Sequence, residues 1–133
     1  MHLIFCVDDR YGLQFCGRRL SRDSKVNQHM LSLAAGKRLW MHPSSGKMFP
    51  EDAVRADPDF QKKADTGDYC FLEDLPLPEL YSRRESVVLY HWNRSYPATV
   101  RFPKELLDGM RLVSTETFPG SSHEKITVER YAL

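Results

Sequence analysis

Short apolar runs broken by turn residues set the character of this chain. The first, LIFCV (residues 3–7), is continuous rather than alternating and stops at Asp8-Asp9. That is the pattern of a strand covered on both faces. YCFLE (69–73) and SVVLYHW (86–92) read the same way and are rich in β-branched and aromatic residues. RLWMH (38–42) reads as a strand stopped by Pro43, and GLQFCG (12–17) as either a short strand or an irregular return. Toward the end the pattern changes. ATVRF (98–102), RLVSTET (111–117) and KITVERY (125–131) alternate apolar and polar positions, so the last two are each expected to bury one face.

Helical periodicity is clearest over 21–35, where Val26, Met30, Leu33 and Ala34 fall on one face. Ser21 offers an N-cap hydroxyl, Asp23 falls in the first turn, and Gly36 closes the segment. DPDFQKKA (57–64) has Asp and Pro at its start and Gly67 beyond its end, the marks of a second helix. Single turns are expected from Pro78 and over KELLDG (104–109). Early strands alternate with helices and the chain ends on a hairpin. The expected fold is α/β or α+β, a single domain over 1–133. It has a mixed sheet of about six strands, two main helices and a C-terminal β-hairpin.

The bulk numbers are consistent with that picture. At 133 residues, 41% hydrophobic and 28% charged, the chain can build one core without disulfides. Cys6, Cys16 and Cys70 are odd in number and show no C-x-x-C spacing, a reduced pattern. With no leader-like or spanning segment, a cytoplasmic protein without membrane contact is expected. The net charge of +1 conceals an asymmetry: residues 1–50 carry +5, residues 51–80 carry −6 and residues 81–133 carry +2. A basic first third suits phosphates, whereas the acidic middle suits a protein partner or a second copy of the chain; the bland alternative is mutual neutralisation within one fold.

Chemistry concentrates in PGSSHEK (119–125). One reading is a polar hairpin connection. The other is a site. Ser121 and Ser122 would hold an anion, His123 would move a proton, Glu124 would orient it, and Lys125 would stabilise phosphate charge. A second cluster, GRRLSRD (17–23), places Arg18, Arg19 and Arg22 around the expected helix start, a phosphate-binding arrangement unless nearby aspartates neutralise them. HPSSGKMF (42–49) lacks the spacing of a phosphate-binding glycine loop and reads as a turn. YHWNRSYP (90–97) interleaves aromatics with arginine, as in base-stacking surfaces, or else ends a core strand. The five histidines show no metal-ligand spacing, and no dinucleotide glycine fingerprint or nucleophile elbow occurs, so no metal and no cofactor are expected.

GRRLSRD, DYCFLE, LYHWNRSYPA and FPGSSHEKIT together resemble a family of small clostridial and gut-bacterial proteins labelled ribonuclease Z. The resemblance implies that RNA or a nucleotide phosphate is relevant. The zinc-binding H-x-H-x-D-H motif behind that activity is missing, so a zinc mechanism is excluded. Two functions follow as expectations. The first is a binding or regulatory module with an anion-binding surface. The second is a metal-independent ribonuclease using His123 and Lys125.

Overall fold

The computed structural model describes residues 1–133. Its strands are β1 (His2–Val7), β2 (Gly12–Phe15), β3 (Arg18–Arg19), β4 (Leu39–Met41), β5 (Arg55–Ala56), β6 (Tyr69–Phe71), β7 (Ser86–His91), β8 (Val100–Arg101), β9 (Arg111–Phe118) and β10 (Ile126–Ala132). The helices are α1 (Ser24–Leu33), α2 (Pro43–Gly46), α3 (Phe60–Lys63) and α4 (Leu80–Arg83), with 3-10 turns at Glu51–Ala53 and Lys104–Leu107. Seven strands form one mixed sheet in the order β5-β4-β6-β1-β7-β10-β9, and β3-β2-β8 form a small antiparallel sheet. From β5 to β7 all neighbours are parallel; β10 and β9 are antiparallel and make the terminal hairpin. The mixed α/β architecture read from the sequence is the one observed.

The continuous apolar runs follow from burial of both sheet faces. Along β1, Leu3, Phe5 and Val7 enter one core with Leu13, Phe60, Leu80, Leu89 and Leu106. Ile4 enters the opposite core with Val26 and Met30 of α1, Val88, Tyr90 and Ile126. A period-two strand sandwiched between two apolar layers has no position left for a polar residue.

Two local expectations are corrected. The cap of α1 is Asp23, not Ser21. Asp23 is extended at φ −154°, and its carboxylate accepts from the Lys25 and Val26 N–H groups at 2.9 and 3.4 Å. A carboxylate also draws on the helix dipole, which a hydroxyl does less well. Strand β9 buries neither face; it is exposed from Arg111 to Thr117. It forms the outer edge of the sheet, so its alternation has no layer to answer. No helix is long and apolar enough to cross a membrane.

Candidate functional site

Parallel topology aims the carboxyl ends of β4, β5 and β6 the same way. The segments leaving those ends enclose a cleft of about 730 Å³. His42, Ser44, Ser45 and Lys47 come from the stretch after β4, and Pro58, Phe60 and Gln61 from the stretch after β5. Leu72, Glu73, Asp74 and Leu75 follow β6, while Gln14, Gly17, Arg18 and Arg19 of the β2–β3 hairpin close the near side. In open α/β sheets this is where ligands sit, because strand ends diverge there around the sheet's change of direction.

At the centre lies a bidentate pair. Arg19 Nε is 2.9 Å from Glu73 Oε2, its second nitrogen is 3.0 Å from Oε1, and the Ser45 hydroxyl donates to Oε1 at 2.6 Å. The Glu73 hydrogen bond raises the Arg19 pKa above its ordinary value. Glu73 is therefore neutralised inside the cleft. Arg18 and Lys47 form no ion pair. They leave the mouth with positive charge and unengaged donors.

A second hollow of about 430 Å³ shares Lys47 with the cleft and is lined also by Arg22, Ser24, Asn27, Met48, Ser121 and Ser122. Beneath it lies the PGSSHEK loop, folded onto the start of α1. The backbone N–H groups of Ser121 and Ser122 donate to Asp23 Oδ1 and Oδ2 at 3.0 and 2.9 Å. His123 Nδ1 stands 2.9 Å from Asp23 Oδ2, with both side chains almost fully buried. Burial alone would push the Asp23 carboxyl up. The hydrogen bonds from Ser121, His123 and Ser122 overcome this and hold it well below the usual carboxylate range. The imidazole stacks on Trp92 at 4.7 Å and 22°, while its Nε2 meets Ser21 Oγ at 3.0 Å and Tyr96 Oη at 3.2 Å.

The expected anion pocket in this loop is thus filled by the protein's own carboxylate: the two N–H groups meant for a phosphate are spent on Asp23. Glu124 and Lys125 are exposed, and neither side chain reaches His123 by a hydrogen bond. The arginines divide: Arg18 and Arg19 line the cleft, whereas Arg22 lines the second hollow, its carbonyl accepting from Ser122 Oγ at 3.0 Å. Tyr90 and Trp92 are core, not a stacking surface. Sequence reasoning missed Glu73, which it took as a strand terminus, and Asp23 as a hub; a lone carboxylate ending an apolar run was the available signal for the first.

Gly120 makes the clamp possible. A Cβ there would lie 2.5 Å from Asp23 Oδ2 and 2.9 Å from the His123 carbonyl. Neither atom is free to retreat, so Gly120→Ala is expected to destabilise the fold by ~1–3 kcal/mol, the usual range for overpacking. Urea unfolding of the two proteins measures it.

No family model matches this chain, and no curated protein matches it. Among solved structures, it is similar to a dihydrofolate reductase from Enterococcus faecalis complexed with NADP(H) and RAB-propyl. The TM-score is 0.68 at 10% sequence identity, over 98% of this chain and 94% of that one. The class that emerges is the dihydrofolate reductase fold. This overturns the resemblance to the family labelled ribonuclease Z. With it go the binding or regulatory anion module, the RNA partner and the metal-independent ribonuclease, none of which accords with a fold shared end to end with a reductase.

Proposed function

We propose that this protein is a reductase that uses a nicotinamide dinucleotide held across the strand-end cleft. One observation carries the reading. The open cleft lies at the carboxyl ends of β4, β5 and β6, in a fold shared over 98% of the chain with a reductase complexed with NADP(H). The donor set suits such a group. Arg18 and Lys47 present unengaged cations at the mouth, and Ser44 adds a hydroxyl. Phe60, Phe71, Leu72 and Leu75 supply an apolar wall for a ring. Side-chain cations take the place of the missing glycine fingerprint in meeting phosphate.

When bound, the nicotinamide supplies a hydride. The chain's own residues bind and orient. Arg18 and Lys47 would hold phosphate oxygens. Arg19 and Ser45 keep Glu73 neutralised, so that its charge does not repel them. The adjoining hollow, sharing Lys47, leaves room for a second ligand beside the first.

Calorimetric titration with NADPH and NADH tests the reading. Saturable binding is expected for at least one. Arg18→Ala and Lys47→Ala should each weaken it about tenfold or more, the value of a hydrogen bond to a charged group. A folded wild-type protein that binds neither nucleotide at millimolar concentration overturns the proposal.

A further inference from the structure

The geometry points to a second activity, outside the cleft. We propose that Ser21, His123 and Asp23 form a nucleophilic triad acting on small acyl esters. A nucleophilic hydroxyl is activated when a base lies within hydrogen-bond reach and a third group orients that base. Here Ser21 Oγ is 3.0 Å from His123 Nε2, and His123 Nδ1 is 2.9 Å from Asp23 Oδ2. Such sites are recognised by geometry and not by chain order.

Each member is fixed in the state the chemistry needs. Asp23 is kept ionised by the backbone N–H groups of Lys25, Ser121 and Ser122, so it takes a proton from no one. With Asp23 as the acceptor, Nδ1 carries the hydrogen of the His123–Asp23 hydrogen bond, and Nε2 is the ring nitrogen turned toward Ser21. Trp92 fixes the ring plane by stacking. His123 and Asp23 are almost fully buried, while Ser21 is half-buried. Tyr96 Oη lies 3.2 Å from the same nitrogen, and in the proposed reaction its hydroxyl would turn to the developing oxyanion.

The reaction balances without a further reagent. Ser21 Oγ attacks the acyl carbon while its proton passes to His123 Nε2. The carbon–oxygen bond of the ester then breaks, and the leaving alcohol takes that proton. Water, giving a proton to Nε2, attacks the Ser21 acyl ester, and Ser21 departs reprotonated.

A fluorophosphonate probe applied to the full-length wild-type protein decides the matter, with the modified peptide mapped by mass spectrometry. Labelling at Ser21 is expected at a rate ~10²-fold or more above that of the exposed serines, the scale of general-base assistance. It should be lost in Ser21→Ala and reduced at least tenfold in His123→Asn. Should His123→Asn fail to fold, Tyr96→Phe stands in, with acyl-enzyme formation from 4-nitrophenyl acetate expected to slow. If folded wild type labels Ser21 no faster than Ser82 or Ser95, the three residues are a structural staple and the proposal fails.

Discussion

Asp23→Ala is expected to lower the unfolding free energy by ~3–5 kcal/mol, the usual cost of removing one partner of a buried pair. The size follows from how many groups share one carboxylate. Two donors belong to the first turn of α1, two to the backbone of Ser121 and Ser122, two to the hydroxyls of the same serines, and one to His123. Losing a cap alone costs ~1 kcal/mol. The rest comes from leaving the buried His123 and the loop N–H groups of Ser121 and Ser122 without the acceptor they share. Ser21→Ala removes one half-buried hydroxyl and should cost under about 1 kcal/mol. Urea denaturation of both variants separates them. If the Asp23→Ala loss is no larger than that of Ser21→Ala, the carboxylate is not the hub that joins the hairpin loop to the helix.

How much of this was legible beforehand depends on sequence distance. The strands were, because LIFCV, YCFLE and SVVLYHW have no polar position to spare once both sheet faces are covered. The terminal hairpin was, because alternation and Pro119-Gly120 are local signals. Strand order was not: β6 inserts between β4 and β1, a pairing decided by packing rather than by any neighbouring residue. The cleft was illegible for the same reason, since four separate segments line it. PGSSHEK carries local turn signals, but nothing in it points to its partner. Asp23 and His123 are 100 positions apart, and Asp23 had an adequate local explanation as a helix-start residue. A carboxylate that satisfies a local rule gives no sign that it also satisfies a distant one.

Acid should unfold this protein steeply, and Asp23 and Asp68 set the direction. Burial would raise the Asp68 carboxyl, but the Asp65 N–H, the Trp40 indole and Arg38 outweigh it and hold its pKa below the ordinary value. Asp23 is depressed by its own set of donors. A carboxyl whose pKa is lower in the folded than in the unfolded chain contributes stability above its unfolded pKa. Falling pH removes that contribution, because the unfolded chain takes up the proton first. The unfolding free energy should therefore be flat just above about pH 5 and fall below about pH 4, where unfolded aspartates titrate. Asp23→Asn keeps the shape of the side chain but not its ionisation. It should begin less stable at neutral pH and lose less on acidification, so that the two curves converge at low pH. Urea unfolding across a pH series reads this directly. Parallel curves would place the acid sensitivity elsewhere and remove the ionised carboxylate from the account of the loop, whereas convergence locates it at the junction of α1 with residues 121–123.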